Sequence, residues 1–192
     1  FFLLNLILYG IGSGSMVFTA QFWGKKDFKG LHKTLGISML VSVFFAILFT
    51  LCCVSMPKEI LSLYTKDTAV IEVGVQYLRL SALCFIPFAI NFMLMITLRS
   101  IEKVKVAVGA TLVSLVVNTT LNAILIFGLF GAPALGVRGA AIATVIARFV
   151  ELFITFAVTK HRKYPVLGTF KSHFTFDAQF LKVYLLIVLP VL

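Results

Sequence analysis

Charge is what this chain most lacks. Of its 192 residues only 7 are Asp or Glu and 17 are Lys or Arg, and residues 1–24, 34–57, 80–98, 106–137 and 183–192 carry no charged side chain at all. Cysteine is equally sparse: Cys52, Cys53 and Cys84 are an odd number with no CxxC spacing, and all three lie in apolar sequence, which excludes a disulfide framework or a thiolate metal site. His32, His161 and His173 have no second ligand at metal spacing and read as solvated loop histidines. No Ser/His/Asp set or carboxylate dyad is present, and the polar connections are too short to house a soluble active site. These absences exclude an enzyme, and no metal or organic cofactor is expected.

What remains is long apolar runs. A helix rises ~1.5 Å per residue, so runs of about 19 to 24 residues cover the roughly 30 Å of bilayer hydrocarbon. The expected fold is all-α, a polytopic transmembrane bundle with spans at about 1–24, 34–57, 76–98, 106–127 and 138–158. The run 106–137 exceeds one span and carries its own breaker, Gly128-Leu129-Phe130-Gly131-Ala132-Pro133. Residues 159–182 form a polar linker, and 183–192 begin a sixth span. Pro87 and Pro190 each remove a backbone donor and are expected to bend their helices. The run Gly10-Ile11-Gly12-Ser13-Gly14 is no phosphate loop, since it lies inside a bilayer-length apolar stretch with no strand before it. It reads as close helix packing through small residues, as do Gly139, Ala143 and Ala147. Apolar sequence at Phe1 without a basic leader, and a run that stops at Leu192, suggest a helix upstream and more chain downstream.

Of the +10 net charge, +9 lies in alternate connections. Residues 25–33 carry +3, 58–74 carry −1, 99–105 carry +2, 128–138 carry +1 and 159–182 carry +4. Basic residues near span ends are retained on the cytoplasmic side. Connections 25–33, 99–105 and 159–182 are therefore expected in the cytoplasm, with residue 1 outside. Topology accounts for the basic charge without nucleic acid, and the 160–171 cluster suits weak attraction to anionic lipid.

Polar side chains inside spans are costly and face a cavity or a neighbouring helix. At 100° per residue, Thr111, Ser114, Asn118 and Asn122 share a face about 80° wide. Cavity lining and interhelical hydrogen bonding explain this stripe equally well. Asn91 is a further polar candidate by the same geometry. Arg148 and Glu151, three apart, form either a structural ion pair toward the cytoplasmic interface or a proton-linked pair. Arg79 reads as a snorkelling anchor.

Three segments together resemble a known family. Gln21-Phe22-Trp23-Gly24-Lys25-Lys26-Asp27 is similar to the AQxxGxxD element of multidrug and toxin extrusion (MATE) transporters. Leu98-Arg99-Ser100 with Lys103 and Lys105 resembles the family's LR-S/A-x-G-x-x-K turn. Asn118-x3-Asn122-x-x-Leu125-Ile126-Phe127-Gly128, followed by Leu135-Gly136-Val137-Arg138-Gly139-Ala140-Ala141-Ile142-Ala143-Thr144, resembles its N-x3-N/D-x-x-LIFG…GxxGAAxAT signature. The resemblance implies the second to sixth helices and the start of the seventh of a twelve-helix transporter, with residues 159–182 linking two lobes and the C-terminal lobe absent. It implies plasma-membrane export, in bacteria from the inner membrane, of amphipathic or cationic compounds against H+ or Na+ by alternating access. It places Asn118, Asn122 and Thr144 in the cavity; Ser114 and Asn91 rest on geometry alone. Some members carry Asp where Asn122 stands, and an amide cannot titrate. At Glu102 the family commonly has Gly. A lipid-linked saccharide flippase of the same superfamily is the alternative; such proteins favour a strongly basic cavity, which two span arginines do not supply. A non-transport scaffold ranks third.

Overall fold

The computed structural model describes residues 1–168, 170–173 and 178–188, and every regular element among them is helical. Helix α1 spans Phe2–Gly24 and α2 spans Phe28–Ser55. The second begins six residues before the uncharged run does, because Asp27 caps it: Oδ1 accepts from the Gly30 amide at 3.0 Å. Lys29, His32 and Lys33 thus sit on the first turns of a membrane helix. It stops at Met56, whose φ of −126° and ψ of 50° leave the helical region ahead of Pro57, as steric contact with a proline ring demands. Pro57 then opens the short α3, Pro57–Ser62.

The third expected span is two helices, α4 (Thr68–Ala82) and α5 (Phe85–Ser100), bent by 50°. The bend falls at Leu83 and Cys84, not at Pro87. Pro87 occupies the third position of α5, where a backbone N–H has no partner within the helix, so the ring costs nothing there. Helices α6 (Val104–Phe127) and α7 (Val137–His161) form a hairpin. Gly128 ends α6 in the left-handed region, φ 73°, and the Leu135 amide returns to the Leu125 carbonyl at 2.9 Å. A side chain at Gly139 would meet that carbonyl at 2.5 Å; its absence lets α7 lie against the end of α6.

Helices α1, α2 and α5 pack together around Leu4, Leu8, Ile11, Leu35, Phe85 and Leu94, while α4, α5 and α6 flank α7. Among the described residues four helices are long and apolar enough to cross a membrane, and the bent α4–α5 pair, counted as one broken span, is a fifth. Their outer faces expose Phe44, Leu51, Leu112, Val116 and Phe153, a belt untenable in water and suited to lipid. Cys52 faces outward with them, whereas Cys53 and Cys84 are buried; all three thiols are free.

Beyond α7 the chain folds back under α2. His32 and His173 are not solvated loop residues as the sequence suggested. Their rings pack 4.9 Å apart, His32 Nε2 lies 2.6 Å from the Pro165 carbonyl, and His32 Nδ1 lies 3.2 Å from Ser172 Oγ. Gly36 leaves room for the backbone of His173, which ends the short α8, Phe170–His173. Helix α9, Ala178–Val188, starts five residues before the uncharged run. Its buried Tyr184 hydroxyl meets Ser15 Oγ at 2.6 Å, docking α9 on α1. Asp177 and residues 189–192, including Pro190, lie outside the described residues.

Candidate functional site

The polar residues of the spans converge on α7. Glu151 is 2% exposed, and ten residues, ~15 Å at helical rise, separate it from the C-terminus of α7 at His161. Along the helix the pair stands near the middle of α7. Its Oε2 accepts from Arg148 Nη1 at 2.8 Å and its Oε1 from Thr111 Oγ1 of α6 at 3.0 Å. Arg148 also lies over the Phe88 ring of α5, 4.8 Å from its centroid. A single ion pair therefore joins three helices.

Two cavities flank this pair. One, of about 300 Å³, lies between α6 and α7 and is lined by Ser114, Asn118 and Thr144 together with Thr111, Arg148 and Glu151. The other, of about 240 Å³, lies toward α1 and α5 and adds Asn5, Tyr9, Asn91 and Arg99. Thr111, Arg148 and Glu151 belong to both walls.

The structure divides the sequence candidates accordingly. Ser114, Asn118 and Thr144 share the first cavity. Ser114 Oγ donates to the Ala147 carbonyl at 2.9 Å, and Thr144 Oγ1 to the Ala140 carbonyl at 2.9 Å. Asn122 does not line that cavity. It donates from Nδ2 to Asn118 Oδ1 at 3.0 Å, one turn away, and so fixes the Asn118 amide with its nitrogen free. Asn91 stands apart in the second cavity, 2% exposed, with Nδ2 at 3.2 Å from Met95 Sδ.

Buried acceptors outnumber the donors that reach them. Asn91 Oδ1 and Asn122 Oδ1 are buried without a hydrogen-bond partner, as is Ser42 Oγ elsewhere. Glu151 has one bond on each oxygen and unspent lone pairs on both. Asn91 and Glu151 share the second cavity, where such oxygens suit a cation or a ligand bearing N–H or O–H groups, whereas Asn122 lines neither cavity. Among the described residues no group of His, Cys, Asp and Glu is arranged to hold a metal. Of α5 the sequence singled out Asn91 alone, although Phe88, Phe92, Met95 and Arg99 recur with it at helical spacing on one face.

Comparison with known proteins agrees with this architecture. The family model MatE matches residues 1–124. The chain is 29% identical over 193 residues to the probable multidrug resistance protein YoeA of Bacillus subtilis (strain 168), an alignment covering 99% of this chain and 42% of that protein. It is 31% identical over 133 residues to the probable multidrug resistance protein NorM of the same organism, covering 69% of this chain and 29% of that one. Among solved structures, a MATE crystal structure in the bent conformation superposes with a TM-score of 0.85 at 20% identity, over 98% of this chain and 41% of that one. Inward-facing and outward-facing conformations of a multidrug resistance MATE family transporter of the MOP superfamily give 0.84 and 0.82, at 20% and 22% identity. At such identities the likeness concerns the fold. The chain spans about two fifths of the length of the curated relatives it matches over most of its own.

Proposed function

Since the chain belongs to the MatE family, an integral-membrane family of transporters rather than enzymes, we propose that it supplies one lobe of a cation-coupled antiporter that exports amphipathic or cationic compounds. The observation that carries this reading is the α6–α7 cavity, where Ser114, Asn118 and Thr144 meet Glu151 inside an otherwise apolar bundle. Hydroxyl and amide groups there hydrogen-bond a ligand, and the carboxylate supplies the negative charge that a cationic cargo or a coupling H+ or Na+ requires.

In the proposed cycle a second lobe closes the cavity from the far side, and exchange of cation for cargo shifts the balance between outward-open and inward-open states. The similar fit to inward-facing and outward-facing relatives supports a lobe that keeps its internal packing while it rocks. Connections 25–33, 99–105 and 159–182 lie in the cytoplasm by their basic charge, with 159–182 leading toward the second lobe. On the lipid side, an apolar groove of about 750 Å³ between α2, α5 and α7, lined by Met39, Leu94, Phe149 and Phe153 with Lys160 at its edge, suits the acyl chain and headgroup of an anionic lipid.

The test is efflux of a fluorescent cationic dye from cells expressing the full-length protein, with proton and sodium gradients collapsed separately. Export that stops with one gradient supports antiport and names the ion. Asn118→Leu and Asn122→Leu should each cut export at unchanged expression. Correct insertion without export under any gradient would shift the assignment to a lipid flippase.

A further inference from the structure

We propose that Glu151 is a binding site for one monovalent cation and that Arg148 is a tethered cation which occupies the carboxylate whenever that ion is absent. The idea rests on the antiport reading above. The sequence permits an inert ion pair at 148 and 151; the geometry gives three reasons for more.

First, the pair is placed where an inert bridge has no need to be. It forms the common wall of two cavities, so both the carboxylate and the guanidinium can be reached from either. Second, its partners are unequal. Glu151 is held by α7 and α6 and is 3% exposed at the side chain, whereas Arg148 is 32% exposed and makes a single hydrogen bond, to Glu151, leaving its other N–H groups unpaired. Arginine is the less firmly held member, and the Phe88 face on which it already rests can retain it when its one hydrogen bond to the carboxylate opens. Third, the 240 Å³ cavity holds a buried orphan acceptor, Asn91 Oδ1, at 2% exposure. Its volume accommodates an ion with several waters, each about 30 Å³.

The charged and titratable groups that share the two cavities with Glu151 are Arg148 on its own helix, Arg99 on α5 and Tyr9 on α1, with the Cys84 thiol near Arg148 at the α4–α5 bend; α6 contributes only the neutral Thr111, Ser114, Leu115 and Asn118. With Arg148 on the carboxylate the pair is neutral, so an empty lobe can change state without carrying a net charge through the bilayer. An arriving cation takes the guanidinium's place on the carboxylate while Arg148 keeps the Phe88 face, and the return of the guanidinium helps expel the ion. Arg148 therefore holds the affinity low and permits release.

The experiment compares the full-length protein with Arg148→Gln, Arg148→Lys and Glu151→Gln, purified into lipid nanodiscs. Sodium-dependent thermal stabilisation is titrated at alkaline and at neutral pH, alongside dye efflux. Removing the competing charge in Arg148→Gln should raise apparent sodium affinity at least about tenfold, the low end for an opposite charge at this range. Arg148→Lys restores a tethered charge and should return the affinity toward the parent value. Glu151→Gln should abolish the response. If the ion is a proton, sodium leaves every variant unchanged, and the proton-gradient dependence of dye efflux is lost in Glu151→Gln. Cation-linked efflux and cation binding that persist undiminished in Glu151→Gln would overturn the assignment while leaving antiport intact. Dye efflux by the parent without any cation dependence would instead overturn the antiport reading itself. A purely structural bridge would lower the melting temperature of all three variants without moving any cation titration, which also overturns the proposal.

Discussion

Two glycines in one helical hairpin should respond to alanine with opposite signs. Gly139 is the third residue of α7, and a methyl group there would lie 2.5 Å from the Leu125 carbonyl oxygen and 2.7 Å from its carbon. Both are backbone atoms and cannot rotate aside, so α7 must retreat by several tenths of an ångström. That retreat stretches the 2.9 Å bond from Ser114 to the Ala147 carbonyl and opens the α6–α7 contact. Overpacking of this kind costs about 1–3 kcal/mol. Against it stands the helix propensity of alanine, worth about 0.5–1 kcal/mol in a helix interior and less in a first turn. The clash wins, and Gly139→Ala should lose about 1–2 kcal/mol. Gly109 lies inside α6 with nothing within 4 Å of where a methyl group would sit. Only the propensity gain operates there, so Gly109→Ala should be neutral to about 1 kcal/mol more stable. Thermal or denaturant unfolding of the full-length protein in a single detergent measures both. Equal shifts of the same sign, or a stabilised Gly139→Ala, would show that the helices adjust freely and that the close approach at Leu125 does not constrain them.

Tyr184→Phe removes the hydroxyl that joins α9 to Ser15 but leaves Ser15 bonded to the Ile11 carbonyl, so it should cost about 0.5–1.5 kcal/mol in the same unfolding assay. Asp27→Ala deletes the cap of α2 and should cost about 1 kcal/mol, with Asp27→Asn recovering most of it; equal losses in both would point to charge rather than capping. His32→Leu abolishes the contacts to Pro165 and Ser172, and faster amide exchange confined to residues 162–173 is the expected signature; unchanged exchange there would mean that the histidine pair does not hold the segment.

The apolar runs located the membrane helices because bilayer thickness sets their length, and α1 and α6 begin and end within two residues of the spans expected at 1–24 and 106–127. Where a cap or a ring governs, charge is a poor guide to a boundary. Asp27 carries α2 down into the basic connection, and Pro57 ends it early. The α4–α5 bend was hidden for a different reason. Proline is the residue that signals a kink, yet Pro87 sits where a helix tolerates it, and the break itself falls at Leu83 and Cys84, which carry no turn signal. Fold class follows from composition; the path of the chain inside the bilayer depends on a few local atoms.

The site divides along the same line. The stripe of Thr111, Ser114, Asn118 and Asn122 is a one-helix pattern, visible to anyone counting by 100°, but which members face a cavity depends on the neighbouring helix. Ser114 spends its hydroxyl on α7, Asn122 spends its amide on Asn118, and Asn118 alone of the two amides reaches the cavity. Arg148 and Glu151 illustrate the stronger limit. Their spacing establishes that they can pair, and distance from Lys160 along the sequence suggested the interface. Their role turns on Thr111 and Phe88, 37 and 60 residues from Arg148, of which Thr111 holds the carboxylate and Phe88 underlies the guanidinium. An ion pair whose two halves are unequally held is a property of tertiary packing, and it separates a bridge that only stabilises from one that can open.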